Sequence, residues 1–268
     1  MNISPNSLLA AVGVILTTTT SIFSQVVFSE NFTGNMSSLI DDGGPKYAFT
    51  LASDQLTIGN SSPGFEVGRS YTTQTWSNDD FTISAKVHPT QMAFTSGMLS
   101  VFAYGKSAFP DNGYAAELVQ VGFSVDQYRL DIRAGSLTIA SSSIFNILAD
   151  PFGTPDYTRF TLELAGAFLV GGDLALTATF IPDPLDNPTS LSTISVNSTV
   201  LAASVDLTGT AWGIRQLTGG NTVLADYDNL VITVVPEPST WVLLVGVLAV
   251  LTVSRSRQKL RRAMQAEV

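Results

Sequence analysis

The chain has 268 residues, of which only 13% are charged and none is cysteine. The charged fraction is about half that of an average soluble domain, and the absence of cysteine excludes disulfides, thiol catalysis and thiolate metal sites. Residues 1–235 contain eight basic and 20 acidic residues, a net charge of −12 that makes nucleic acid a poor partner.

The amino-terminal segment has the layout of a secretory signal. Leu8–Leu16 is an apolar run of nine residues, and a Thr-rich stretch then leads to the small residues around Ser24. This order is typical of a signal peptide that a peptidase removes. No Lys or Arg precedes the apolar run, so an uncleaved anchor or a buried strand remains an alternative. We predict a signal peptide over residues 1–24 and therefore export.

Residues 25–234 predict one all-β domain. Short runs rich in Val, Ile, Phe, Tyr and Thr alternate with Gly, Pro, Asn and Asp, and no long amphipathic helix is evident. Such spacing is typical of an antiparallel sandwich or barrel. The main predicted strands are Val27–Phe32, Phe81–Val87, Met98–Tyr104, Ala115–Phe123, Tyr128–Arg133, Tyr157–Leu164, Leu174–Phe180 and Ala225–Thr233.

The order of these strands resembles the jelly-roll sandwich of concanavalin-A-like and laminin-G-like domains. The first and last predicted strands would pair, and Tyr157–Leu164 would pair with Leu174–Phe180. The resemblance implies an antiparallel jelly-roll β-sandwich as the fold class.

Glycoside hydrolysis requires two carboxylates that face one bond. The Glu-x-Asp-x-x-Glu spacing of laminarinase-like jelly rolls is missing, and each glutamate of the domain is isolated in sequence. Glu117 falls within a predicted strand and could face a concave surface, but the favoured interpretation is a solvent-side residue. No catalytic residue is predicted, and we expect a domain that is not an enzyme.

His88 is the sole histidine, and it precedes Pro89 near the end of a predicted strand. One histidine cannot form a multi-histidine zinc site, and no Gly-x-Ser-x-Gly nucleophile elbow accompanies it. We interpret His88 as a strand-end residue.

Clusters of Asp and Asn offer oxygen ligands of the kind that Ca²⁺ prefers. They are Asp41–Asp42, Asn78–Asp80, Asp183–Asn187 and Asp226–Asn229. The same residue types are common in turns, so turn chemistry is the favoured interpretation. A structural Ca²⁺ is kept as an alternative, and no other cofactor is expected.

Aromatic side chains suggest sugar contacts, because their faces stack on apolar surfaces while amides and hydroxyls supply hydrogen bonds. The candidate carbohydrate contacts are Trp76, Trp212 and Tyr104. The alternative for each is a buried core position.

The carboxy-terminal end contains an uncharged run, Trp241–Val253. Its 13 residues reach only about 20 Å as a helix, whereas residues 238–254 approach the length that spans a bilayer. Trp241 would anchor this predicted helix at the interface, and a basic tail over residues 255–262, beginning with Arg255 and Arg257, would stay cytoplasmic.

Pro236, Glu237 and Pro238, followed by an apolar run and a basic end, resemble the PEP-CTERM sorting domain of exported bacterial proteins. The resemblance covers residues 235–268 and concerns sorting alone. It implies processing near the motif by an exosortase-type enzyme, transient attachment to the membrane, and an organism with an outer membrane and exopolysaccharide.

Together these features favour a non-catalytic protein of the cell surface or extracellular matrix, associated with exopolysaccharide and biofilm. A lectin-like carbohydrate-binding module is the first alternative, and a glycan hydrolase or lyase is the second.

Overall fold

The structure, a computed structural model, describes residues 25–33, 38–44, 47–60, 65–73, 79–91, 97–106, 113–122, 127–149, 156–219 and 223–235. Residues 25–234 form a compact unit by themselves. The predicted signal peptide, Trp76, the Pro-Glu-Pro motif, the predicted membrane helix and the basic tail lie outside the described residues.

The regular secondary structure of the described residues consists of strands and one short 3₁₀ helix, Ala202–Ser204. The strands are β1 (Gln25–Glu30), β2 (Ile40–Gly43), β3 (Tyr47–Ala52), β4 (Gln55–Asn60), β5 (Phe65–Thr73), β6 (Asp80–Gln91), β7 (Met98–Gly105), β8 (Tyr114–Gln120), β9 (Tyr128–Ala134), β10 (Leu137–Ser141), β11 (Phe160–Phe168), β12 (Leu174–Pro182), β13 (Ile194–Val200), β14 (Ala211–Gly219) and β15 (Leu224–Val235).

Two antiparallel sheets pack as a sandwich, which confirms the predicted all-β class. One sheet has the order β10-β9-β8-β7-β14-β5-β2, and the other has the order β13-β12-β11-β6-β15-β4-β3 with β1 beside β15. Gln25 pairs with Val234, so the first and last strands are neighbours as the sequence predicted. The predicted pairing of β11 with β12 is also confirmed, from Phe160↔Pro182 to Phe168↔Leu174.

The core lies between the two sheets because each strand alternates apolar and polar side chains. In β6, Phe81, Ile83, Ala85 and Val87 are buried, whereas Lys86 is exposed. All residues of the main apolar cluster lie within residues 25–234. We therefore expect this range to fold by itself.

The sequence analysis missed several strands, among them β5, β13 and β14. Their Gly, Ser and Asn residues are typical of loops, but tertiary packing holds these segments in an extended conformation. Gly213 is an example of a strand glycine with a packing role. A Cβ at this position would clash with the backbone of Ser70 on the neighbouring strand. Asp41 and Asp42, predicted to form a turn, instead lie in β2 and pair with β5.

In the portion of the chain that the structure describes, no helix has the length and hydropathy needed to cross a membrane.

Candidate functional site

A row of polar side chains crosses the seven-stranded sheet on the face directed away from the core. Cross-strand partners share a face of a sheet, and the register runs Asp42↔Arg69↔Arg215↔Ser100↔Glu117↔Asp131 over β2, β5, β14, β7, β8 and β9. Arg129 and Arg133 flank Asp131 at two-residue spacing on β9 and join the same face. We call these eight residues the charged row.

Glu117 occupies the centre of the charged row and has no exposed surface. Its Oε1 accepts a hydrogen bond from Arg215 Nη2, and its Oε2 lies 3.5 Å from Arg133 Nη1. Arg215 Nε also lies 3.3 Å from the Ser100 hydroxyl. Two guanidinium groups therefore neutralise one buried carboxylate.

Asp131, the register partner of Glu117, is 1% exposed. Arg129 donates to it in a bidentate arrangement, with Nε 2.8 Å from Oδ1 and Nη2 3.0 Å from Oδ2. At the other end of the row, Arg69 Nε donates to Asp42 Oδ2 at 3.0 Å. The Arg69 guanidinium also lies 5.0 Å from the centroid of the Tyr71 ring.

The charge of this row is opposite in sign to that of the domain around it. Four of the five arginines within residues 1–235 belong to it. With its three carboxylates the row carries a net +1, whereas residues 1–235 carry −12. The side chains of Arg129 and Arg133 are 39% and 24% exposed, so solvent reaches the row at β9.

The expectation that Glu117 is a solvent-side residue is wrong. The covering arginines come from strands far away in the sequence, with Arg215 separated from Glu117 by 98 positions. Nothing in a single sequence marks Arg215, Ser100 and Glu117 as neighbours, so sequence reasoning missed the row. The one available signal was the scarcity of arginine in an acidic domain.

Two of the predicted carbohydrate contacts belong to the core. Trp212 is fully buried and Tyr104 is 1% exposed. Their ring centroids are 4.5 Å apart, and Phe81 meets Trp212 edge-on at 5.1 Å. Burial also raises the pKa of Tyr104. A side chain without exposed surface cannot stack on a sugar from solvent, so Trp212 and Tyr104 are packing residues.

A second feature is a cavity of about 420 Å³ that opens on the eight-stranded sheet, lined by β6, β11 and β15 among others. Within it, His88 Nδ1 lies 3.8 Å from Asp226 Oδ2, and the Thr57 hydroxyl donates to Asp226 Oδ1 at 2.6 Å. His88 lies inside β6 rather than at its end. Burial and the nearby Arg159 lower the pKa of His88 against the opposing effect of Asp226, which favours neutral imidazole.

No three His, Asp or Glu side chains converge into a metal site among the residues that the structure describes. The carboxylates considered for Ca²⁺ have protein donors instead. Asp41 accepts from Ser70 Oγ at 2.6 Å, Asp42 pairs with Arg69, and Asp183 accepts from the Leu185 amide at 2.9 Å.

No protein-family model matches this sequence, and no curated protein matches it. Solved structures do resemble the fold. A lectin from Bauhinia forficata in complex with GalNAc is 10% identical, with a TM-score of 0.50 over 78% of this chain and 97% of the lectin. An endo-acting O-glycanase from the human gut microbiota is 9% identical, with a TM-score of 0.50 over 79% of this chain and all of the other. At these identities the likeness establishes the lectin-like jelly-roll fold alone.

Proposed function

We propose that this chain is an exported surface protein whose sandwich binds anionic carbohydrate at the charged row. The observation that carries the proposal is the collection of four arginines on one sheet face of an acidic domain. Buried ion pairs contribute little net stability compared with apolar residues, so folding alone does not call for this concentration. Guanidinium groups bind carboxylates and similar planar anions through paired hydrogen bonds.

Arg129 and Arg133 are the proposed contacts, because their side chains are the most exposed among the four arginines of the row. Asp131 pairs with Arg129, and Glu117 lies beside Arg133. Arg133 Nη2 also donates to the Ser136 carbonyl at 2.5 Å. Fixed guanidinium groups lose little entropy when they bind a ligand. The lectin in complex with GalNAc and the O-glycanase have this fold, which supports a sugar as the ligand.

Recombinant residues 25–235 test the proposal by calorimetric titration with polygalacturonate, alginate and uncharged dextran. We expect saturable binding to the acidic polymers that weakens as salt is added, because ions screen exposed charges. Arg129→Gln and Arg133→Gln, each titrated at a temperature at which calorimetric melting shows it to be folded, should each weaken binding by about tenfold, the equivalent of one lost charged hydrogen bond.

Arg159→Gln is the matched control. It removes the same charge from a residue that is 48% exposed and paired with Asp186 at 2.7 Å, next to the eight-stranded sheet. An equal loss of affinity in this control would show that the Arg129 and Arg133 variants bind less tightly because of their net charge, not because a specific contact is lost. No binding to any acidic polymer would reject the proposal.

Glycan cleavage is a second candidate, favoured by the endo-acting O-glycanase of the same fold. It requires two carboxylates that face one bond. Glu117 and Asp131 are register partners but have almost no exposed surface, so cleavage would require Arg129 or Arg133 to move away from them. The same acidic polymers would be incubated with the domain and assayed for new reducing ends and for unsaturated ends. Activity that Glu117→Gln abolishes, in a variant that still binds the polymer, would establish catalysis; no product would leave binding as the function.

We propose further that residues 1–24 are removed on export and that an exosortase-type enzyme cuts near Pro236, Glu237 and Pro238. The apolar residues 238–254, with Trp241 and the basic Arg255 and Arg257 at their borders, would hold the chain in the membrane until that cut. Intact mass measurement of the protein from its host should lack both ends. A mature protein that keeps residues 239–268 would instead indicate a permanent anchor.

A further inference from the structure

Three connections at one end of the sandwich carry large apolar side chains. Leu137 begins β10 directly after the β9–β10 turn, Leu169 and Val170 form the tip between β11 and β12, and Leu201 follows β13. Leu137 and Leu201 line one cavity of about 510 Å³. The Ala202 amide donates to Asp173 Oδ1 at 2.8 Å, which joins the turn after β13 to the β11–β12 hairpin. We call these four apolar residues the apolar end.

All four side chains of the apolar end are exposed. Val170 is fully exposed, and Leu137 and Leu201 are 68% and 65% exposed. Connections at the ends of a sandwich ordinarily carry polar turn residues, and contiguous apolar surface at a protein's exterior marks an interaction site.

The chain enters and leaves the domain at this same end. Gln25 pairs with Val234, so β1 begins where β15 ends. β6 and β15 are neighbours, and the Thr90 hydroxyl near the end of β6 lies 3.4 Å from the Leu224 carbonyl at the start of β15. The start of β6 therefore lies beside the end of β15. Asp80, which begins β6, accepts from the Phe168 amide at 2.7 Å, next to the β11–β12 tip.

The sequence then limits how far the domain can stand from a bilayer. Only residues 236–240 separate the end of β15 from Trp241, where the uncharged run begins. Even a fully extended segment of this length spans only about 20 Å, which is shorter than a sandwich domain is wide. A membrane that holds the uncharged run would therefore face this end of the domain.

We propose that the apolar end docks on the lipid surface, with Leu169, Val170 and Leu201 entering the headgroup region. The inference rests on the proposed membrane attachment and is independent of carbohydrate binding at the charged row. Apolar side chains bind membranes by burial at the boundary between headgroups and acyl chains. The acidic domain would be repelled by anionic lipid, so the contact is with neutral lipid and is apolar in character.

The absence of cysteine allows a site-specific test with the full-length chain. Val170→Cys and Leu185→Cys each introduce a single thiol for an environment-sensitive fluorophore. Leu185 is the matched control because it is 96% exposed and follows β12 at the opposite end of the sandwich. Each labelled protein would be reconstituted into phosphatidylcholine vesicles that contain a lipid-borne quencher.

We expect both proteins to sediment with the vesicles and the label at position 170 to shift to shorter wavelength. Its quenching should be at least about threefold greater than at position 185, as for a group that enters the headgroup boundary. Equal, water-like emission at both positions would overturn docking while leaving the anchor intact. Failure to sediment with vesicles would overturn both the docking and the membrane attachment. Neither outcome bears on carbohydrate binding, since the vesicles contain no sugar polymer.

Discussion

Arg215 reaches past Ser100 on the intervening strand to donate a hydrogen bond to the carboxylate of Glu117, which has no exposed surface. Arg133 approaches the other carboxylate oxygen at 3.5 Å. Burial of an ion strengthens its attraction to a partner but costs its hydration, so the net gain from such a group is small. Loss of one partner has a much larger effect, because the remaining charge is then buried without compensation.

Glu117→Ala should therefore destabilise the domain strongly. The substitution leaves Arg215 without its buried carboxylate, and removal of one member of a buried pair costs about 3–5 kcal/mol. Urea unfolding of residues 25–235 measures the free energy. Glu163→Ala, at a half-buried glutamate of β11, is the control and should cost about 1 kcal/mol or less. Equal effects of the two substitutions would contradict the description of the charged row.

Trp212→Ala should destabilise the domain by about 3–5 kcal/mol, the usual loss for a fully buried aromatic side chain. The cavity would open between Tyr104 and Phe81, whose rings both contact the indole. Leu185→Ala is the control, because an exposed leucine loses little on truncation. Calorimetric melting of both variants compares them, and a small loss at Trp212 would show that the core contracts around the missing ring.

Trp212, a candidate sugar contact that is fully buried, marks the limit of what the sequence could predict. Alternation in segments such as Phe81–Val87 reports burial directly, because neighbouring side chains point to opposite faces of a strand. That local signal was sufficient for the fold class, whereas the order of the predicted strands, with its resemblance to a jelly roll, predicted the pairing of β1 with β15 and of β11 with β12. The presence of an aromatic residue, by contrast, does not indicate whether its side chain lies in a core or on a binding surface.

The charged row could not be predicted, because it is a property of strand order. Arg69 and Arg215 become neighbours only when β5 pairs with β14, and Ser100 joins them only through β7. These pairings connect segments more than a hundred residues apart, and no local pattern in β5 or β14 indicates a strand. The residues of the apolar end are likewise brought together by three separate connections.

His88 should make the stability of the domain depend on pH. Its pKa in the folded protein is lowered from 6.5, first by burial and then by Arg159. Between the two pKa values the unfolded chain binds more protons, so the free energy of unfolding rises with pH and falls as the solution is acidified through 6.5. Unfolding of the parent and of His88→Gln, at a pH above and a pH below this value, measures the effect. The variant should lose less stability on acidification, and parallel losses would show that His88 does not contribute.

Asp206 should make stability depend on pH in the same direction as His88 but in a more acidic range, because its pKa is also lowered in the folded protein. Hydrogen bonds from Lys106 and Thr208 lower its pKa from 3.8 to about 2, so the ionised form favours the folded state. This contribution is fully present above 3.8 and is lost as the pH falls through about 2. Because the side chain is 41% exposed, solvent screening reduces the contribution to about 1 kcal/mol or less.

Asp206→Asn isolates the charge, since an amide oxygen can still accept from the Thr208 amide and hydroxyl, which lie 3.0 and 2.6 Å from Asp206 Oδ1. The substitution should therefore remove mainly the attraction to Lys106 Nζ at 2.8 Å. Urea unfolding should show a deficit relative to the parent near neutral pH, and the deficit should shrink progressively as the pH falls below 3.8. Lys106→Gln should produce a deficit with the same pH dependence, because it removes the other half of the pair. A deficit that stays constant down to about pH 2 would assign the effect of Asp206→Asn to altered hydrogen bonding rather than to charge.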